Sequence, residues 1–336
     1  MDKLIPFEIC QHIIMEYING DVQIMFKSLF YNGKLKITNL YDISEKLRRS
    51  LNNDISYKYP FVNKLNAYDN PNITDEGISN LTRLRSLNVS YNPNITDKGI
   101  AKLTNLHTLN AGGNYNITDK GIAKLTNLHT LVVSGCYSSI TDKGIAKLTN
   151  LCTLDARNNL KITDGGITKL VNLHTLGASS NKNITDKGLV KLAKLRSLNA
   201  SSNPNITDKG IAKLTNLHTL NAYHNKNITD EGIAKLTNLH TLTASRNENI
   251  TDKGIAKLTN LHTLNASRSP NITDKGIAEL TNLHTLYAHC NRNITDKGIV
   301  KLTNLHTLVV SNNENITDEG IAKLTNLHTL NGKKIW

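Results

Sequence analysis

A fixed 22-residue period dominates the chain from about residue 60 onward. The tripeptide Ile-Thr-Asp begins at Ile73 and returns at Ile95, Ile117, Ile140, Ile162, Ile184, Ile206, Ile228, Ile250, Ile272, Ile294 and Ile316. Each step is 22 residues except 117 to 140, which is 23 and carries its extra residue in the turn Cys136–Ser139. Self-similarity at this period excludes one large globular core. Units this short cannot bury an apolar face alone, so they must stack and share their interfaces.

One unit shows how. Leu103, Leu106, Leu109 and Ala111 are spaced three, three and two apart, and the final step of two is a strand alternation. It turns Leu109 and Ala111 inward and Thr108, Asn110 and Gly112 outward. Asn114 follows, and an asparagine recurs there in most units. Its amide can bond backbone groups that the turn leaves unpaired, one rung per unit. Cys136 and Ser269 read as two substituted rungs. The return half, Ile117-Thr-Asp-Lys-Gly-Ile122-Ala-Lys-Leu125, predicts a short inward-packed helix capped by Thr118 or Asp119. Gly121 costs such a helix about 1 kcal/mol relative to alanine. Its return in every unit implies close approach between neighbours.

The residues Leu106 to Leu125 form the pattern L-x-x-L-x-A-x-x-N-x-N-I-T-D-x-G-I-x-x-L, which resembles the cysteine-containing subtype of leucine-rich repeat. The rung here is mostly asparagine, and the unit is about one helical turn shorter than the subtype's. The outer element can therefore be α or 3₁₀. The internalin-type repeat, also with Ile-Thr-Asp and Leu-Thr-Asn-Leu, is the second resemblance. Either implies an α/β leucine-rich-repeat solenoid: a right-handed horseshoe with a parallel concave sheet and short convex helices. Such repeats imply a non-catalytic scaffold with a protein ligand on the concave face.

Residues 1–54 do not repeat and are expected to form a separate helical segment before a solenoid at 55–336. Ile9, Ile13, Ile14, Tyr17 and Ile18 make an amphipathic stripe after Pro6, suited to capping the open end of the first repeat. The run Leu4/Ile5, Pro6, Glu8, Ile9, Ile13, Ile14, Tyr17, Ile18, Asp21, Val22 also resembles an F-box without its later Val-x-x-x-Trp region. That resemblance implies docking to the linker subunit of a cullin-type ubiquitin ligase through Pro6, Ile9, Ile13 and Ile14. The Asn/Lys/Ile-rich composition is similar to repeat proteins of giant viruses of amoebae, which would place the chain in a host cytoplasm.

Composition narrows the remaining classes. No apolar run of membrane-spanning length occurs, and Asp2, Lys3 and Glu8 interrupt any signal-like stretch. Four scattered cysteines do not make a disulfide framework. Asn-Ile-Thr, a glycan acceptor, recurs at strand spacing, about 5 Å, which leaves no room for a glycan on each. A reducing, cytoplasmic setting is expected. The net charge of +13 comes largely from lysines copied four apart, as at Lys98/Lys102 and Lys209/Lys213. No aromatics interleave with them, so a solvated face is favoured over nucleic acid. No nucleotide-loop, metalloprotease, nucleophile-elbow or paired C-x-x-C motif is present. The histidine row His107, His129, His174, His218, His240, His262, His284, His306, His328 lacks carboxylate or cysteine partners. No metal or other cofactor is expected.

Most positions are copied nearly unchanged, whereas the outward strand positions and those just after them vary. Residues 217–290 present Tyr223, His224, Arg246, Arg268, Tyr287, His289 and Cys290, whereas repeats with Gly112/Gly113, Ser134/Gly135, Ser179/Ser180 and Ser201/Ser202 are bland. A smaller group, Tyr68, Asp69 and Tyr91, lies nearer the N-terminus. Tyrosine and arginine anchor interfaces more often than other residues. These are the candidate partner-binding positions.

Overall fold

In the computed structural model, residues 30–31, 34–35 and 38–335 are described. They fall in two compact units divided between Leu151 and Cys152. In the first, strands Asn39–Leu40, Lys64–Asn66, Ser86–Asn88, Thr108–Asn110 and Thr130–Val132 pair in parallel, each with the next. In the second, parallel pairing runs from Thr153–Asp155 to Thr329–Leu330, again strand by strand in chain order. An antiparallel strand, Lys333–Lys334, ends the strand series of the second unit with charged side chains on its edge.

Register is strict because one face is buried. Leu198, Leu220, Leu242 and Leu264 lie opposite one another across successive strands, and all are at most 1% exposed. Leu103, Leu106, Leu109, Ala111, Ile117 and Ile122 are all fully buried, confirming the inward set within one unit. The return element is α rather than 3₁₀, as in Asp97–Ile100 and Asp252–Ile255, but each helix is a single turn of four residues. Lys102 consequently lies beyond the helix that contains Lys98, so the lysine pairs do not share a helix face.

Several hydrogen-bonded ladders join neighbouring repeats, and three of them bear on the sequence reading. The rung Asn92 is fully buried, and its amide donates to the carbonyls of Ala67, Asn70 and Ile73 at 3.2, 2.7 and 3.1 Å. Its Oδ1 accepts from the Asn94 backbone at 3.0 Å. The glycan-acceptor asparagines form a second ladder. Asn227 Nδ2, for example, donates to the Pro204 carbonyl at 2.7 Å. The third corrects the expected role of the aspartates. Threonine caps the helix, with Thr118 Oγ1 accepting from Lys120 N at 3.2 Å. The carboxylate before it reaches across instead: Asp97 accepts from Thr118 N at 2.7 Å and Thr118 Oγ1 at 2.7 Å. Gly121 sits under that carboxylate, and a Cβ there would meet Asp97 Oδ1 and come 3.1 Å from Asp97 Cα. The repeated glycine therefore does mark close approach, and the group approaching is an acid.

The same ladders extend upstream of residue 55. Asn70 donates to the carbonyls of Arg48 and Leu51 at 2.7 and 3.1 Å, at the end of helix Glu45–Ser50. Asn53 takes the aspartate's place, accepting from Thr74 N at 2.8 Å and donating to Thr74 Oγ1 at 2.9 Å. The rung assigned to Cys136 is corrected as well. Cys136 is exposed, and in the lengthened turn Ser138, two residues on, is the buried polar residue, at 1% exposure. Ser269 does occupy its rung, fully buried, with Oγ donating to the Ala244 carbonyl at 2.8 Å.

Because each repeat bonds only to its neighbours, a whole unit is removable. Deleting residues 229–250 is expected to leave a folded chain with similar far-ultraviolet dichroism per residue and a modestly lower urea midpoint. Loss of the cooperative transition would show that the units are not interchangeable.

Candidate interaction surface

The candidate residues fall into three rows on the sheet side. Tyr287 is the last residue of its strand, where earlier strands carry Asn221, Thr243 and Asn265. Tyr223 and His289 occupy the second residue after the strand; both are half-buried. His224, Arg246 and Arg268 occupy the third, immediately before the buried rung, and all are exposed. Backbone bonds hold these turns in register: Arg246 N donates to the Ser267 carbonyl at 3.2 Å and Arg268 N to the His289 carbonyl at 3.0 Å.

That third position is left-handed in backbone conformation. Its φ is 51° at His224 and 54° at Tyr91, Arg246 and Arg268. Other repeats place Gly113, Gly135, Asn158, Ser180, Ser202 and Asn312 there, all with positive φ. Glycine and asparagine suit this region, whereas a long side chain is strained there by about 1 kcal/mol. Tyrosine, histidine and arginine thus stand where the fold favours small residues. Strain that persists at an exposed, variable position points toward use rather than packing.

The side chains meet only in part. The Arg246 guanidinium lies over the Tyr223 ring at 6.0 Å, and Tyr223 and His224 are tilted at 6.0 Å. Cys290 Sγ lies 3.3 Å from His289 Nε2. In the first unit Tyr68 and Tyr91 pack edge to face at 5.9 Å, and Tyr91 covers Gly113, where a Cβ would come 2.6 Å from its ring. Sequence reasoning missed Arg48 there. It is 5% exposed, with its guanidinium 5.1 Å above Tyr68. It stands 22 residues before the rung Asn70, to which its carbonyl is bonded, but an arginine in helix Glu45–Ser50 does not read as a rung. Pro6, Ile9, Ile13 and Ile14 lie outside the described residues.

The charges divide by side. A helix-side depression in the second unit is lined by Lys209, Lys235, Lys253 and Lys257 together with Asp208, Asp230 and Glu231, a mixture of signs. On the sheet side, Arg157 is neutralised by Asp155, with Nη2 at 2.7 Å from the carboxylate. The hydrogen bond that the guanidinium donates to Asp155 raises it above its ordinary pKa.

The histidines of the row stack. Rings from His218 to His328 lie 5.1–5.5 Å apart and nearly parallel. His218 Nδ1 is 2.7 Å from the Asn216 carbonyl and so carries the proton, leaving Nε2 outermost. Parallel rings direct their Nε2 lone pairs in parallel, whereas a metal needs converging ligands. Among the described residues no group of three or more His, Cys, Asp or Glu side chains is placed to hold a metal ion. None of the described helices is long and apolar enough to cross a membrane.

Comparison with known proteins agrees with the architecture. The leucine-rich-repeat sequence family matches residues 80–104 and 301–325. Among solved structures, an internalin (InlF) of Listeria monocytogenes is 28% identical, covering 81% of this chain and 87% of its own, with a TM-score of 0.58. A structure of the yeast Rad7–Elc1 complex superposes with a TM-score of 0.62 at 20% identity, covering 85% of each chain. A Leptospira interrogans repeat protein reaches 0.58 at 23% identity over 98% of this chain and 88% of its own. No curated protein is significantly similar in sequence.

Proposed function

We propose, from the premise that this chain is a leucine-rich-repeat protein, that it is a non-catalytic scaffold holding another protein against the sheet side of residues 217–290. The observation that carries the reading is the contrast within each repeat. Rung, threonine, aspartate and glycine are repeated for the ladders they build; the turn residue after the rung varies, as in Pro204, Lys226 and Glu248, and so do the exposed sheet-side positions. The sheet-side positions are diversified toward Tyr, Arg and His, which lose little entropy per contact or form charge-assisted bonds. Tyr287 is 36% exposed and Tyr91 61%, so substantial aromatic surface is left for a partner.

The N-terminal segment supplies the finer part of the proposal. Pro6, Ile9, Ile13 and Ile14 follow the F-box order, which would make the chain an adaptor presenting its ligand to a cullin-type ubiquitin ligase. The test uses the full chain with a photo-crosslinking amino acid at position 287, at 201 or at 9, in extracts of amoebae. Crosslinks to a discrete protein from 287 but not from 201 support the sheet-side site. Recovery of a cullin linker subunit from position 9, lost in an Ile9→Asp, Ile13→Asp variant that keeps its urea transition, supports the adaptor. Equal labelling from 287 and 201 would show that the variable positions are drift. Absence of the linker subunit would leave a scaffold without a ligase.

A further inference from the structure

We infer that the ligand segment seated on residues 217–290 is an acidic polypeptide, whose carboxylates are met by Arg246 and Arg268. This rests on the sheet-side reading above and adds the chemistry of the partner. The four sheet-side segments 217–224, 239–246, 261–268 and 283–290 contain no aspartate or glutamate. Arg246 and Arg268 are exposed, hold the same left-handed turn position in consecutive repeats, and have no ion-pair partner among the described residues. By contrast, the sheet-side Arg157 is closed by Asp155. Two neighbouring cations without an ion-pair partner, on strand segments without acids and with the nearby Glu248 taken by Lys226, complement a run of carboxylates and repel a basic ligand.

Register sets the fit. Strands Thr241–Thr243 and Thr263–Asn265 pair residue for residue, so the two arginines stand one strand apart, about 5 Å. An extended peptide crossing the strands advances about 7 Å for every second residue, so nearby acids on one of its sides come within reach of both guanidiniums. Arginine also matches a carboxylate bidentately. Tyr223, already beneath Arg246 at 6.0 Å, limits the guanidinium's freedom and favours one presentation. A nucleic acid fits less well. It needs many phosphate contacts, whereas Lys209, Lys235, Lys253 and Lys257 lie on the helix side among Asp208, Asp230 and Glu231.

The measurement is fluorescence anisotropy with a labelled decapeptide of alternating Glu and Gly, at physiological salt, on the full chain. The test variant is Arg246→Ser with Arg268→Asn. Serine and asparagine already hold this left-handed position at Ser180, Ser202, Asn158 and Asn312, so the fold is preserved. The expected loss is about tenfold or more, as for removal of two charge-assisted contacts. A helix-side control, Lys213→Gln with Lys235→Gln and Lys257→Gln, removes more charge and is expected to change binding less than about twofold, since exposed charges act weakly at a distance. No binding by the wild type, equal losses in both variants, or stronger binding of a uridine decanucleotide would overturn the inference. Discrete crosslinks from position 287 that persist in the arginine variant would leave the sheet-side site standing and remove only its acidic specificity.

Discussion

Replacing Asn203 with leucine is expected to destabilise the second unit by about 3 kcal/mol or more, the largest effect of any single substitution considered. Asn203 is fully buried and donates to three carbonyls of the preceding repeat, those of Ala178, Asn181 and Ile184, at 3.1, 2.6 and 3.1 Å. It also accepts from the backbone of Asn205 at 3.0 Å. Leucine matches the volume but leaves buried acceptors without donors, each costing about 1–3 kcal/mol. Asn205→Ala is the comparison, because Asn205 is exposed and its amide makes one bond, to the Lys182 carbonyl at 2.7 Å. It is expected to cost no more than about 1 kcal/mol. The weak rung offers the opposite sign. Ser269 reaches the Ala244 carbonyl but not those of Asn247 and Ile250, so Ser269→Asn is expected to raise the urea midpoint. Equal midpoints for Asn203→Leu and Asn205→Ala would mean that the buried ladder contributes nothing beyond a surface bond.

Gly254→Ala is expected to destabilise, although alanine is the better helix former by about 1 kcal/mol. A Cβ at Gly254 would meet Asp230 Oδ1, stand 2.9 Å from Asp230 Cγ and stand 2.8 Å from Ile233 Cδ1. The aspartate has no freedom to withdraw, because it accepts from Thr251 N at 2.8 Å and Thr251 Oγ1 at 2.6 Å. Overpacking of this kind costs about 1–3 kcal/mol, which exceeds the propensity gain. A cycle with Asp230→Ala separates the causes. Removing the carboxylate loses both bonds but makes room, so the double variant is expected to be less damaged than the sum of the singles. Additive effects, or a stabilised Gly254→Ala, would return the glycine to a matter of local helix preference. The readout is the chemical unfolding midpoint of each variant.

The period, the inward leucines and the asparagine rungs were legible in the sequence because repetition exposes them. A position copied at every step of 22 has the same neighbours each time. Leu109, Ala111 and Asn114 could thus be placed by spacing alone, and all three are buried. The start of the array was not legible, since Arg48 and Asn53 keep the 22-residue spacing to Asn70 and Asp75 but are different residue types. Three features needed the tertiary structure because they arise between repeats. The Asp97 carboxylate reads locally as a helix cap, and only the adjacent coil reveals Thr118 as its partner. Cys136 aligns with a rung, but in the lengthened turn Ser138 is the buried polar residue. Arg246 and Arg268 stood out in the sequence by residue type alone. Their left-handed turns, their shared register and their lack of an ion-pair partner among the described residues appear only when the strands are paired. Side-chain spacing follows from the chain's own geometry, whereas close approach and uncompensated charge depend on what the next coil brings near.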